Sequence, residues 1–126
     1  VIKGIGTDLV LVSRIRSSLD RFGDRFAQKI LAEKELVDFA VTRAPEYFLA
    51  KRFAAKEAVS KALGTGMRHG VTFRTIQISH DVAGKPQVNL VGDAAGVAEK
   101  NGIVHLHISL SDERDHALAF VVAETR

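Results

Sequence analysis

Residues 46–63 read Glu46-Tyr47-Phe48-Leu49-Ala50-Lys51-Arg52-Phe53-Ala54-Ala55-Lys56-Glu57-Ala58-Val59-Ser60-Lys61-Ala62-Leu63. The stretch holds no Gly or Pro and is rich in Ala, the residue that loses least on entering a helix. It predicts one long helix. Pro45 stands where proline suits a helix start, and Gly64-Thr65-Gly66 supplies the cap and loop chemistry of a helix end. Towards the N-terminus, Ala32–Arg43 predicts a further helix with Leu36, Val37 and Ala40 on an apolar stripe. Ser13 is the expected N-cap of a helix running to Phe22. Gly23 interrupts it, and a short helical piece continues to Leu31. Val1–Val12 alternates as a strand, with Ile2, Gly4, Gly6, Asp8, Val10 and Val12 on one face. Towards the C-terminus the expected elements are a strand over Val71–His80, a turn over Asp81–Pro86, a short strand over Gln87–Leu90 and a helix over Gly92–Asn101. Ile103–Ser111 and His116–Ala123 alternate on either side of Asp112–Asp115, which is a hairpin signal. The order β-α-α-α-β-β-α-β-β predicts an α+β fold, with a mainly antiparallel sheet packed against helices that include one long central helix.

At 126 residues the chain is expected to form one domain, over residues 1–126. It contains no Cys, which excludes disulfides, thiolate metal sites and a thiol nucleophile. No stretch approaches the length of a transmembrane span. The apolar run at the N-terminus is broken by Lys3 and Asp8 and reads as a strand rather than a signal peptide. The expectation is a cytoplasmic protein that binds no membrane. The net charge of +3 permits a phosphate-rich or acidic partner. With no Trp and a single Tyr, base stacking would fall to the seven Phe, so a nucleic-acid partner is not expected.

Four features carry chemistry. Asp8 lies within an apolar strand, where a carboxylate needs a partner; it either caps a turn or serves a site. The glycines at 4 and 6 leave space beside it for a ligand or a close backbone. On the long helix, Phe53, Glu57, Ser60, Lys61 and Gly64 share a face, and Glu57 with Lys61 reads either as a solvated i,i+4 pair or as functional. Over Ile103–Ser111, His105, His107, Ser109 and Ser111 share one face, as the wetted side of an antiparallel sheet would. Arg14, Arg21 and Arg25 recur among Ile15, Leu19, Phe22 and Phe26, either as a solvated face or as a basic surface for an acidic helix or a phosphate backbone.

Gly4-Ile5-Gly6-Thr7-Asp8-Leu9-Val10 and Phe48–Ala58 resemble the two signature blocks of the holo-[acyl-carrier-protein] synthase family, G-[IL]-G-x-D and [RK]-F-[AS]-x-K-E-A followed by a Lys, here Lys61. Gly64-Thr65-Gly66 is similar to the loop that follows, and His107-Ile108-Ser109-Leu110-Ser111 to a late H-x-S-x-S block. The resemblance implies the phosphopantetheinyl transferase fold. It implies Mg²⁺-dependent transfer of the 4'-phosphopantetheine arm of coenzyme A to a serine of apo-acyl carrier protein, releasing adenosine 3',5'-bisphosphate. It also implies a homotrimer with sites between subunits. By the same resemblance Asp8 and Glu57 are metal ligands, and Glu57 and Lys61 are catalytic. The serine proton passes to Glu57 or to a metal-oriented water, and the sequence leaves both open. Arg52, Phe53, Ser60, Lys61, Gly64, Gly66, Pro86 and His107 fall on the coenzyme side, and Arg14, Arg21 and Arg25 on the carrier-docking side. One departure is Asp112, where many relatives carry His.

Overall fold

The computed structural model describes all residues, Val1–Arg126. In chain order the elements are β1 (Ile2–Leu11), α1 (Val12–Phe22), α2 (Asp24–Ile30), α3 (Glu33–Val41), α4 (Pro45–Ala62), β2 (Ile76–His80), β3 (Pro86–Leu90), α5 (Gly92–Lys100), β4 (Ile103–Asp112) and β5 (His116–Thr125). The strands form an antiparallel three-stranded sheet in the order β1-β5-β4 and an antiparallel β2-β3 ribbon. No helix is long and apolar enough to cross a membrane.

Helix α4 begins with Pro45 at its first turn and runs through the middle of the molecule. Leu49, Ala50, Ala54, Ala55, Ala58, Val59 and Ala62 are buried all around it. Its neighbours are the inner face of the large sheet (Val10, Ala117, Ala119, Val121, Ala123), the α1/α2 pair (Val12, Ile15, Ala27, Ile30) and the β2 side chains Ile76 and Ile78. Small side chains on both sides of the sheet–helix contact allow a close approach, and dense packing of this kind supplies most of the cohesion.

The expected elements all form except for half of one strand. Val71–Thr75 is not extended: Thr72 caps a 3-10 turn over Phe73–Thr75, and the strand starts at Ile76. Ser13 is not the cap of α1. The residue before that helix is Leu11, and the Val12 N–H is tied to the Asp115 carbonyl at 2.9 Å. Helix α3 is rotated from its expected apolar stripe. Val37 and Ala40 face outward, while Glu35 is buried and Leu36 and Phe39 pack on the core. The reason is polar: the Glu35 carboxylate meets Arg52 and Lys56 inside.

Candidate active site

Strand β1 lies unusually close to α4. A methyl group on Gly4 would overlap the carbonyl of Ala62, and one on Gly6 the carbonyl of Ala58. Of the two expectations for these glycines, the close backbone is the one realised. The approach brings Asp8 of β1 beside the last turns of α4. Lys61 Nζ donates to the Thr7 carbonyl at 2.9 Å and to Asp8 Oδ1 at 3.3 Å. Asp8 is thus a strand residue facing α4 and not a turn cap.

Asp8 Oδ2 is buried and has no hydrogen-bond partner. An unpaired buried carboxylate oxygen is costly, and a bound ion is one arrangement that satisfies it. Glu57 is one turn before Lys61 on α4. Burial raises its carboxyl above the usual range, the neighbouring Asp8 raises it further, and Lys61 opposes both. Two converging carboxylates with one orphaned oxygen are a donor set for a hard divalent cation such as Mg²⁺, which takes one or two carboxylates and completes its shell with water and phosphate oxygens. Asp8 and Glu57 therefore fit the metal that the sequence implied.

A cavity of about 240 Å³ opens beside Asp8, lined among others by Arg14, Ile15, Ser18, Phe26 and Phe53. Phe26 and Phe53 separate it from an apolar cavity of about 530 Å³ that contains Phe22, Ile30 and Phe73, with Arg25 and Lys29 on its rim. Phe53 stacks on Phe73 with ring centres 5.2 Å apart. Arg21 is exposed on α1, its guanidinium 5.1 Å from the Phe22 ring. Asp8, Phe53, Arg14 and Arg25 are thus gathered on one side of the molecule.

Other residues expected at the site lie elsewhere. Ser60 is fully buried, and its hydroxyl donates to the Glu57 carbonyl at 2.7 Å, so it faces the helix rather than a ligand. Arg52 also turns inward. It is 5% exposed, donates to Glu35 Oε2 at 3.0 Å and the Ile78 carbonyl at 2.9 Å, and stacks over Phe48. The face of α4 between Arg52 and Ser60 is in the core of the chain, and their coenzyme-side role stands as an expectation of the family resemblance. Gly64 and Gly66 form the turn after α4, with the Gly66 N–H on the Ser60 carbonyl. Pro86 and His107 share a separate polar cavity of about 580 Å³ with Lys85, Asn89 and His105. His107 Nε2 lies 2.9 Å from Glu124 Oε1, and this bond holds the Glu124 carboxyl below its usual range.

The register places Asp8 and His107 on opposite faces of one sheet. Asp8 pairs with Ala119, whose buried side chain faces α4; His107 pairs with Val122, three residues on, on the outer face. A single copy cannot bring them together. Asp112 ends β4 and lies 3.7 Å from Lys51.

Glu35 and Lys56 are the polar core residues whose roles the sequence reading did not foresee. A signal existed: Arg52 and Lys56 are an i,i+4 pair of cations within an Ala-rich helix, and Glu35 stands one turn after the apolar pair Leu31-Ala32.

A strand-borne Asp beside a helix-borne Glu and Lys, with basic helices at its flank, suits the binding of phosphate-bearing groups. The sequence model of the 4'-phosphopantetheinyl transferase superfamily matches residues 4–121, and the chain belongs to that superfamily. It is 52% identical over 125 residues to the holo-[acyl-carrier-protein] synthase of Halorhodospira halophila, covering 99% of each chain. It is 49% identical over 126 residues to that of Vibrio cholerae, covering both completely. Its fold matches the crystal structure of holo-[acyl-carrier-protein] synthase from Neisseria meningitidis with a TM-score of 0.95 at 48% identity, over 99% of this chain and 100% of that one. The Helicobacter pylori synthase in complex with coenzyme A matches with a TM-score of 0.83 at 31% identity, over 95% and 99% of the two chains. The expected family and α+β fold are borne out.

Proposed function

We propose that this chain, as a single domain over residues 1–126, transfers the 4'-phosphopantetheine arm of coenzyme A to a serine of apo-acyl carrier protein. The observation that carries the reading is the orphaned Asp8 Oδ2 next to Glu57 and Lys61. Asp8 and Glu57 would hold Mg²⁺, which would screen the pyrophosphate charge and make the phosphorus more electrophilic. Lys61 adds positive charge at the leaving phosphate as negative charge builds there. The serine proton passes to Glu57 or to a metal-oriented water. The serine oxygen bonds to the β-phosphorus, the bond to the bridging oxygen breaks, and adenosine 3',5'-bisphosphate leaves. Arg14, Arg21 and Arg25 receive the acidic helix of the carrier. The reaction places the protein in the cytoplasm, with its co-substrate.

The same reading includes a homotrimer. Asp8 and the His107–Pro86 cavity lie on different faces, so a site using both needs a neighbouring copy. The outer sheet face leaves Ile5 and Leu9 62% exposed, Phe120 46% and Leu118 40%. A contiguous apolar patch of this kind is characteristic of an interface.

The test is intact-mass analysis of apo-carrier after incubation with the protein, coenzyme A and Mg²⁺. The expected result is a gain of one phosphopantetheine, absent with EDTA. Asp8→Ala and Glu57→Ala should each abolish it while remaining folded by circular dichroism. No mass gain with bacterial carriers, or full activity in both variants, overturns the reading.

A further inference from the structure

We propose that the buried network Glu35–Arg52–Lys56 is a positioning device that sets the rotation and height of α4, and through them the aim of Glu57 and Lys61 at Asp8. The inference rests on the metal site proposed above. Helix α4 is enclosed on nearly every side, and half of its ten buried side chains are Ala, with Leu49 and Val59 the only larger apolar ones. Helices lock against neighbours through ridges and grooves of side chains, and a cylinder of methyl groups offers few. Contact with Gly4 and Gly6 sets how closely β1 approaches the helix, and the small side chains elsewhere leave its rotation less sharply defined by packing.

Directional bonds make the distinction. Lys56 Nζ donates to the Ile30 carbonyl at the end of α2 (2.6 Å), to Glu35 Oε1 on α3 (2.5 Å) and to the Phe73 carbonyl in the 3-10 turn (2.9 Å). These use all the protons of the ammonium group. One turn earlier, Arg52 Nη1 donates to Glu35 Oε2 and to the Ile78 carbonyl on β2. Glu35 is fixed in turn by the Ala32 N–H at 3.0 Å and the Ile78 N–H at 3.4 Å. Two donors one turn apart, held by four separate elements, fix both the angle and the axial position of α4.

Glu57 follows Lys56 in the chain and lies about 100° further round the helix. A rotation of about 20° would move a carboxylate at the helix periphery by roughly 2 Å. Mg²⁺ requires oxygens at about 2.0–2.1 Å in near-ideal geometry, so such a displacement removes a ligand. Buried ion networks are commonly replaceable by apolar side chains without loss of stability. A network with that property acts here through orientation.

Removing one member alone strands a buried charge, so the test variant replaces all of them: Glu35→Leu, Arg52→Met and Lys56→Met together. Mn²⁺ serves as the probe, its binding to the protein alone followed by electron paramagnetic resonance, with thermal unfolding measured in parallel. The expected result is a folded protein with an unchanged or higher Tm whose Mn²⁺ affinity has fallen at least tenfold. A folded triple variant that binds Mn²⁺ within twofold of the wild type overturns the proposal. If the triple variant does not fold, Arg52→Lys decides, since it keeps the charge but loses the flat guanidinium that reaches Glu35 and the Ile78 carbonyl while lying over Phe48. At least threefold weaker Mn²⁺ binding at near-normal Tm supports the positioning role, and unchanged binding overturns it. A wild-type protein that binds no Mn²⁺ overturns the metal reading, and with it this proposal, a result distinct from either variant outcome.

Discussion

At Gly6 the lack of a side chain lets β1 lie against the carbonyl of Ala58. That approach carries Asp8, two residues on, to the level of Lys61. Gly6→Ala forces strand and helix apart, and overpacking of this kind costs about 1–3 kcal/mol. The expected result is a lower Tm together with weaker Mg²⁺ activation of transfer, measured by thermal unfolding and by a Mg²⁺ titration of the labelling rate. A lower Tm with an unchanged Mg²⁺ midpoint would show that the glycine serves packing alone. Asp8 itself was legible as an anomaly, a carboxylate in an apolar strand. Its remedy was not legible, because Lys61 is 53 residues away in the chain.

At the scale of elements, the break between α1 and α2 deserves a direct test. Gly23 has φ 60° and ψ −139°, a region open essentially to glycine alone. It turns the chain so that Arg14 on α1 and Arg25 on α2 flank the Asp8 cavity and its apolar neighbour, with Arg21 exposed on α1 beside Phe22. Gly23→Ala should cost about 1–3 kcal/mol and raise the KM for the carrier. Arg21→Glu and Arg25→Glu should raise that KM at least tenfold with the KM for coenzyme A unchanged. Steady-state kinetics with each substrate varied separates the two effects.

Helix α4 also gives a pH dependence. Burial lowers Lys56 to about 8, although Glu35 pulls the other way. Its ordinary value is 10.5, so between these limits the unfolded chain binds more protons than the folded one. Stability from this group therefore rises as the pH goes from about 8 to 10.5. Urea unfolding of the wild type across this window should show the rise, and Lys56→Met should lack it.

At the scale of the whole molecule, one sheet presents two different faces. Asp8 faces α4, whereas His107, Ser109, Ile5, Leu9 and Phe120 face outward. If copies assemble through the outer face, Phe120→Asp should yield monomers by sedimentation and abolish transfer while leaving Asp8 and α4 intact. Mixing inactive Asp8→Ala with inactive His107→Ala chains should then restore part of the activity, because mixed assemblies contain some intact sites. No recovery after verified subunit exchange would place the whole site within one chain.

Element types, their order and the α+β class followed from local information: Ala content for α4, Gly and Pro punctuation, and the alternation of β4 and β5. Asp8, Glu57 and Lys61 also stood out, since a charge in an apolar strand and an i,i+4 pair are local patterns. The coenzyme-side expectation for Ser60 and Arg52 rests on the family resemblance, whereas helical spacing gives the face of a helix but not what packs against that face. In α4 nearly every face is buried, so helical spacing alone carried no inside or outside. Tertiary structure alone decided that Ser60 bonds to its own helix, that Glu35 enters the core, and that Asp8 and His107 lie on opposite sides of the sheet. The burial of Ser60 and Glu35 and the separation of Asp8 from His107 depend on groups brought together from distant parts of the chain, where burial, pairing and register outweigh local preference.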